Sequence, residues 1–206
     1  TSGPTVSQLD PVRIFTNRSS GKMGLAIARE LKNRGANVVY ISRFKPEDNF
    51  YKYIDISTTS DMLEAVKDEI KDSESLFMAA APLDYEFDSY AEEKIKKSDS
   101  LEFKLVRTKD ILKTIAPIKG DMKIIGFAAE SEKHIEYGKE KLDKKDMDFI
   151  VINNIKGEKS AFGSDSNSGI VLSKDNKKLE IKETDKNSFA RLMIDFVEEN
   201  LWLQGF

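Results

Sequence analysis

The stretch that decides the fold is Asn17-Arg18-Ser19-Ser20-Gly21-Lys22-Met23-Gly24. A short apolar segment precedes it, and apolar residues at helical spacing follow it from Met23 to Leu31. Small and hydroxyl residues before a helix leave its first backbone N–H groups unbonded, and the helix dipole adds partial positive charge there. Because Arg18 and Lys22 add two cations, the stretch predicts a seat for a phosphate or carboxylate. The alternative is an ordinary serine cap with a glycine turn.

Composition narrows the class of protein. The chain has 206 residues, with 33 Lys and Arg against 36 Asp and Glu and a net charge of −3, so it fits one α/β domain over residues 1–206 and not a basic nucleic-acid binder. The absence of cysteine excludes disulfides, thiolate metal sites and a cysteine nucleophile. We find no apolar run that would span a bilayer and no secretory signal, which predicts a soluble cytoplasmic protein without membrane partners.

Alternating helical and strand patterns predict the architecture. Helices are predicted at 22–34, 60–71, 108–115, 132–145 and 185–200, with Thr108 as the cap of the third. Strands are predicted at 37–42, 76–81, 101–106, 122–129 and 148–153, followed by a hairpin of 169–174 with 178–183. The pattern predicts a Rossmann-like, doubly wound, mostly parallel sheet with helices on both faces and a small β hairpin near the C-terminus. Ligands of such sheets bind at the C-terminal strand ends, where the opening turn should face the same crevice.

Seven motifs occur in a fixed order along the chain: Asp10-Pro11-Val12-Arg13, Asn17 to Gly24, Asp84-Tyr85, Lys94-Ile95-Lys96-Lys97, Asp110-Ile111-Leu112, Gly126-Phe127-Ala128-Ala129-Glu130, and Phe162 with Asp165 and Asn167. Together they resemble phosphopantothenate–cysteine ligase, the synthetase half of the bifunctional coenzyme A biosynthesis flavoprotein of bacteria. The resemblance covers nearly the whole chain. It implies that a flavin-dependent decarboxylase domain lies upstream in the native chain.

The resemblance implies a two-step ligation. The carboxylate of 4′-phosphopantothenate attacks the α-phosphate of CTP and releases pyrophosphate, and the amine of L-cysteine then attacks the acyl-cytidylate and releases CMP. Mg²⁺ would neutralise the triphosphate. The resemblance also implies a homodimer with shared active sites, for which the loop at 162–167 and the following hairpin are the predicted interface.

Residue roles follow from the same resemblance. Lys94 would stabilise charge on the α-phosphate during acyl-cytidylate formation, and Asn17 would hold the acyl-cytidylate for attack by the amine. Arg13 and the Ser19-Ser20-Gly21 turn would orient the anionic substrate. The implied nucleotide-binding residues are Ala79, Ala80, Ala81, Asp84, Lys109, Asp110, Ile111, Leu112, Phe127, Lys141 and Lys145. No residue is assigned to Mg²⁺.

Several of these residues have ordinary structural alternatives. Lys94 opens a charge run that a solvated loop would also explain, and Phe127 is equally a core residue. The chain departs from the family pattern at Pro82-Leu83, which replaces a small apolar pair, and at Lys109, which replaces a proline suited to the first helical position.

Two other classes of protein stay open on the sequence alone. A nicotinamide oxidoreductase would use Arg43, after the second predicted strand, to meet a 2′-phosphate. The chain, however, contains neither Gly-x-Gly-x-x-Gly nor a Walker A pattern at its opening turn, and no Tyr-x-x-x-Lys catalytic pair. The second alternative is a nucleotide-binding module without catalytic activity.

Overall fold

The structure, a computed structural model, describes residues 1–130, 134–154 and 164–202. The strands in chain order are β1 (Val6–Gln8), β2 (Ile14–Thr16), β3 (Val39–Ser42), β4 (Lys52–Asp55), β5 (Ser75–Met78), β6 (Tyr85–Phe87), β7 (Leu105–Arg107), β8 (Lys123–Glu130), β9 (Phe149–Asn154), β10 (Ser166–Ser173) and β11 (Lys178–Asp185). The helices are α1 (Lys22–Asn33), α2 (Thr59–Glu69), α3 (Ile111–Ile115), α4 (His134–Lys144) and α5 (Lys186–Trp202). Short 3₁₀ turns extend α2 and α3. Within the described ranges no helix is long and apolar enough to cross a membrane.

The central sheet has five strands in the order β11-β10-β9-β8-β5. Strands β5, β8 and β9 run parallel, whereas β10 and β11 are antiparallel to their neighbours. The predicted hairpin is therefore present, and it extends the central sheet at one edge. The sheet is mixed, with its parallel part where the sequence predicted the nucleotide-binding strands.

Helices cover both faces of this sheet, as predicted. Neighbouring residues of one strand enter different cores: Ile124 packs with α2, α3 and α4, and Ile125 packs with α1 and α5. Ile150 and Val151 divide in the same way on β9. A strand that is buried on both faces is apolar without interruption, which explains why these strands were readable from sequence.

The first residues of the chain hold the opening turn against the strand ends. Ser2 pairs with Ser42, the last residue of β3, and Pro4 pairs with Ala81 after β5. The Ser2 hydroxyl donates to the Gly21 carbonyl at 2.8 Å. Gly24 lies so close that a Cβ atom there would be 2.6 Å from the Ser2 Cβ. The turn is thus fixed by close packing with the N-terminal residues.

Some local predictions were wrong. Thr108 does not cap α3, because its hydroxyl donates to the Leu83 carbonyl, and Asp110 accepts from the Lys113 N–H instead. The predicted strand 101–106 is reduced to β7, which pairs with β6. The apolar segment before the opening turn is β2, and it forms an antiparallel hairpin with β1 outside the central sheet.

Candidate functional site

A pocket of about 310 Å³ lies between the opening turn and the C-terminal ends of β5, β8 and β9. Its wall contains most of the residues that the sequence predicted for the site: Asn17, Ser19, Ser20, Gly21, Ala79, Ala80, Ala81, Asp84, Lys109, Asp110, Ile111, Leu112, Phe127 and Lys145. Three predicted residues, Arg13, Lys94 and Lys141, are not on this wall. The location agrees with the rule that open α/β sheets bind ligands beyond the C-terminal ends of their strands.

The N-terminus of α1 opens onto this pocket without a side-chain cap. Gly21 is its N-cap residue, with a left-handed φ of 74° that favours glycine. No side chain of the described residues caps the first-turn N–H groups. No acidic residue lies in the first turn, and Lys22 is its first residue. The serine cap that the sequence left open as the alternative is therefore absent from α1. The first-turn N–H groups and the helix dipole are left to act on the pocket.

Asn17 is fixed by the backbone at the end of β5. Its amide nitrogen donates to the carbonyls of Ala81 at 3.1 Å and Pro82 at 3.2 Å. Since two carbonyls occupy the nitrogen, the side-chain oxygen is the group of Asn17 that can accept a hydrogen bond from a ligand.

The backbone donors after β5 are largely engaged within the chain. The Ala81 N–H donates to the Gly3 carbonyl at 2.9 Å, and the Ala80 N–H donates to the Thr1 hydroxyl at 3.3 Å. Asp84, by contrast, is an exposed carboxylate on the pocket wall. This part of the wall therefore offers Asp84 and a surface of small apolar side chains.

Asp110 and Lys145, both predicted for nucleotide binding, form an ion pair of 3.0 Å at the pocket wall. Burial raises the pKa of Asp110, but the Lys113 N–H and the Lys145 ammonium outweigh it and lower that pKa below its ordinary value. Lys141 is exposed one turn earlier on α4. The pair joins the N-cap of α3 to the residue that follows α4, beside the pocket.

Four polar residues line the inner wall: Lys22, Asn153, Asn167 and Lys186. The sequence pointed to Lys22 as a cation of the opening turn, but it gave no site role to the other three. The Asn167 amide nitrogen donates to the Asn153 side-chain oxygen at 2.9 Å. The Asn167 oxygen has no hydrogen-bond partner among the residues that the structure describes, although the residue is only 4% exposed. Asn167 belonged to a recognised motif and Asn153 to a strand end, so both carried a sequence signal. Lys186 carried only its position at the start of a predicted helix.

Arg13 contacts the segment that carries Lys94. Its guanidinium pairs with the Asp10 carboxylate at 2.8 Å and donates to the Ile95 carbonyl at 3.2 Å. The Ile95 N–H donates to the same Asp10 carboxylate at 3.2 Å. We call Asp10, Arg13 and Ile95 the hairpin clasp. It fixes the residue next to Lys94, whose own side chain is exposed.

The buried Asp10 carboxyl is ionised, as its part in the hairpin clasp requires. Burial alone would raise the pKa of Asp10, but three backbone N–H donors and the Arg13 charge hold it below its ordinary value. The carboxylate is therefore ionised at neutral pH and available to all its donors.

An exposed apolar surface lies on the two small hairpins, β1–β2 and β6–β7. We define this hairpin surface as Ile14, Phe15, Phe87, Phe103 and Leu105; all but the half-buried Phe87 are exposed. Phe15 meets Phe87 at 6.2 Å between ring centroids, and Phe87 meets Phe103 at 5.0 Å. The loop predicted as the dimer interface includes Phe162, which lies outside the described residues.

The chain matches the family described as DNA/pantothenate metabolism flavoprotein C-terminal domain over residues 1–201. The chain belongs to this family. The family resemblance drawn from the motifs is confirmed. Five of the seven motifs contribute residues to the pocket wall, whereas the motifs at 10–13 and 94–97 do not.

Relatives within the family are similar over nearly the whole chain. The coenzyme A biosynthesis bifunctional protein CoaBC of Bacillus subtilis (strain 168) is 36% identical over 88% of this chain and 46% of its own length. The CoaBC protein of Escherichia coli (strain K12) is 36% identical over 95% of this chain and 50% of its own length. The chain thus spans about half the length of these curated relatives.

Solved structures confirm the fold. The crystal structure of the C-terminal domain of a CoaBC protein superposes with a TM-score of 0.81 at 32% identity, covering 97% of this chain and 92% of that one. A Cab2 mutant in complex with phosphopantothenate-cysteine superposes with a TM-score of 0.72 at 14% identity, covering 98% of this chain and 86% of that one. At that identity the second likeness concerns the fold alone.

Proposed function

We propose that the domain is a phosphopantothenate–cysteine ligase that uses CTP. The observation that carries the proposal is the pocket itself. It joins residues from the opening turn, the end of β5, α3, β8 and the position just after α4 in one cavity of a chain that belongs to this family. Two of its relatives are named as coenzyme A biosynthesis proteins, and one structural neighbour is named as a complex with phosphopantothenate-cysteine. Their names support the substrate class proposed for this pocket.

The nucleoside would lie toward the wall formed by the end of β5, by α3 and by Phe127. Asp84 is the exposed carboxylate of this wall and suits an exocyclic amino group, which is a hydrogen-bond donor. Phe127 and Ala128 of β8 supply apolar surface beside it. Lys145 is oriented by its ion pair with Asp110 and brings a cation toward the same wall.

In the first step a carboxylate oxygen of 4′-phosphopantothenate attacks the α-phosphorus of CTP, and the bond to pyrophosphate breaks. Lys94 would approach the α-phosphate and offset the charge that develops there. The hairpin clasp supports this role, because it holds both backbone groups of Ile95 and so restricts where Lys94 can reach. Arg13 would act by positioning this segment.

Divalent metal fits the pocket as a companion of the phosphates. Within the described ranges no group of three or more acidic or histidine side chains could hold a metal ion, so most ligands would come from the nucleotide and water. The unpartnered oxygen of Asn167 would accept a hydrogen bond from such a water. Mg²⁺ would supply neutralisation of triphosphate charge.

In the second step the cysteine amine attacks the acyl carbon, the bond to CMP breaks, and the amine loses a proton. Asn17 would act here, since its side-chain oxygen can accept from the attacking amine while its nitrogen stays bonded to the end of β5. The side-chain nitrogen would thus anchor Asn17 to the backbone, and its oxygen would orient the attacking amine.

A homodimer is proposed on the hairpin surface. Exposed aromatic and aliphatic side chains there would be buried by a second copy, whereas the outer strand β11 carries mainly charged side chains that oppose edge pairing. Three expectations stay predictions: the interface at the loop of 162–167 and the following hairpin, the upstream decarboxylase domain, and the cytoplasmic location.

The test is pyrophosphate release from purified protein with 4′-phosphopantothenate, Mg²⁺ and either CTP or ATP, first without and then with L-cysteine. Release that requires phosphopantothenate and prefers CTP is the expected result. Lys94→Gln should form little acyl-cytidylate, and Asn17→Asp should accumulate it. No release with either nucleotide from folded dimeric protein would contradict the proposal.

A further inference from the structure

Lys186 is a buried lysine to which the reaction above gives no role. It is 8% exposed, lines the pocket, and donates to the Ser164 carbonyl at 2.5 Å. Among the described residues no carboxylate forms an ion pair with it. Burial lowers the pKa of Lys186, the nearby Lys22 ammonium lowers it further, and Asp165 opposes the shift only in part. Such an ammonium is stabilised by an anion from outside the chain.

The helix that Lys186 begins does not itself supply an anion seat. Asp185 caps α5, because its carboxylate accepts from the N–H groups of Asn187 and Ser188 at 3.0 Å each. The side chain of Lys186 therefore acts on the pocket, and the backbone of α5 does not. Across the pocket the first turn of α1 is uncapped and carries Lys22.

Lys22 is only weakly committed to a partner within the chain. Its ammonium meets Asp165, but the Asp165 side chain is 89% exposed and the Lys22 side chain 47% exposed. Exposed pairs of this kind contribute little and exchange readily for a better partner. Two ammonium groups and the free N–H groups of a 12-residue helix thus converge on one end of the pocket.

Asn167 marks the same end independently. It is buried against the first turn of α1, where its amide nitrogen approaches the Met23 sulfur at 3.6 Å. The pairing of β10 with β11 shifts register between Asn167 and Gly169, and such bulges re-aim a side chain. Within the described part of the chain its oxygen has no hydrogen-bond partner. A buried acceptor without a donor calls for one from a ligand.

We propose that Lys22, Lys186 and Asn167 form a subsite for the polyphosphate end of the nucleotide, the part that leaves as pyrophosphate. A polyphosphate carries several negative charges and many acceptor oxygens, which match two ammonium groups and an uncapped helix. The Asn167 oxygen would accept from a water on the divalent cation that a polyphosphate binds. The identity of the nucleotide rests on the proposed function, whereas the preference for polyphosphate does not.

The first experiment measures binding by calorimetry with CTP, CMP and inorganic pyrophosphate, each with Mg²⁺. Lys186→Met should weaken CTP and pyrophosphate about tenfold or more, the worth of one charged hydrogen bond, and should change CMP by less than about threefold. Lys182→Met removes the same charge from the exposed surface of β11 and should change none of the three. Circular dichroism and thermal unfolding show that each variant is folded.

A second variant tests the proposed contact of Asn167 with the hydrated cation by a binding measurement, without turnover. Asn167→Asp adds a carboxylate where the unpartnered oxygen lies, so pyrophosphate without Mg²⁺ should bind more weakly than to the wild type. With Mg²⁺ the loss should shrink, because the cation offsets the new charge. Equal weakening in both conditions would overturn the role of Asn167.

Other outcomes discriminate the source of the phosphate. If Lys186→Met weakens CTP and CMP equally, the polyphosphate assignment is wrong. If it weakens 4′-phosphopantothenate and leaves CTP unchanged, the subsite belongs to that phosphate and the assignment is again wrong. If the wild type shows no ligase activity but binds pyrophosphate through Lys186, the proposed function fails and this inference stands.

Discussion

The N-termini of α1 and α2 differ in how their first backbone N–H groups are capped. At α2 the Thr58 hydroxyl accepts from the Asp61 N–H at 3.1 Å, and the Asp61 carboxylate accepts from the Thr58 N–H at 2.8 Å. This capping box provides acceptors for backbone N–H groups at the start of α2 from side chains of the helix itself. At α1, Gly21 provides no cap and a lysine stands where an acidic residue would be favoured. One helix start is complete without a ligand, and the other is complete only with an anion.

The largest expected effect comes from making α1 resemble α2 in charge. Lys22→Glu places an acidic side chain in the first turn of α1, so nucleotide and pyrophosphate affinity should fall on the order of 100-fold. Folding stability should stay level or rise by about 0.5 kcal/mol, since the acid now suits the dipole. Calorimetry and urea unfolding measure the two effects. A parallel loss of stability would show that this end serves the fold and not a ligand.

The next effect concerns the packing that presents α1 to the pocket. Gly24→Ala brings a methyl group into the space of Ser2, because a Cβ there lies 2.6 Å from the Ser2 Cβ. The free energy of unfolding should fall by about 1–3 kcal/mol, as for other overpacked sites. Urea unfolding checks this, with Gly35→Ala as a contrast because a Cβ at Gly35 meets no atom within 4 Å. At Gly35 the cost should come only from its φ of 90°.

Removing the cap of α2 should have a smaller and purely structural effect. Thr58→Ala deletes the hydroxyl that accepts from Asp61, which should lower the free energy of unfolding by about 1 kcal/mol. Because Thr58 is not on the pocket wall and its hydroxyl is bonded within the helix, the affinity for nucleotide should be unchanged. A change in affinity without a change in stability would show that the start of α2 serves a ligand and not the fold, which would contradict the comparison.

The smallest effect is the pH dependence of the same cap. Burial raises the pKa of Asp61, but hydrogen bonds from Thr58 and Ser57 outweigh it and lower that pKa below its ordinary value. A lowered folded-state pKa means that the contribution is complete above the unfolded value of about 3.9 and is lost as pH falls through the folded value. The stability difference between wild type and Asp61→Asn should therefore be constant near neutral pH and shrink below about pH 4. A difference that grows in acid would contradict it.

The sequence predicted the elements whose pattern is local. Helices α1, α2 and α5 and strands β8 and β9 were recognisable because their apolar periodicity follows from burial on one or both faces. Strands β1, β4 and β6 were missed because three- or four-residue strands are defined by partners elsewhere in the chain and not by their own composition. Asp110 caps α3 in place of the predicted Thr108, because the Thr108 hydroxyl donates to the Leu83 carbonyl, 25 residues away in sequence.

The candidate site divides in the same way. The opening turn, Asp84 and Asp110 could be located by motif, and the structure brings them to one pocket. Lys186 could not, since its neighbour Lys22 is remote in sequence and nothing local distinguishes a buried lysine from a solvated one. The clasp partner of Arg13 was hidden for the same reason, because Ile95 lies 82 residues away.

The β1–β2 hairpin takes part in two contacts at once. Its loop holds Ile95 through the hairpin clasp, and its outer strand supplies Ile14 and Phe15 to the hairpin surface. If a second copy covers that surface as proposed, association would order the hairpin and with it the segment of Lys94. The rate per chain would then rise with protein concentration and level off once every chain is paired, so dilution alone would act as an inhibitor.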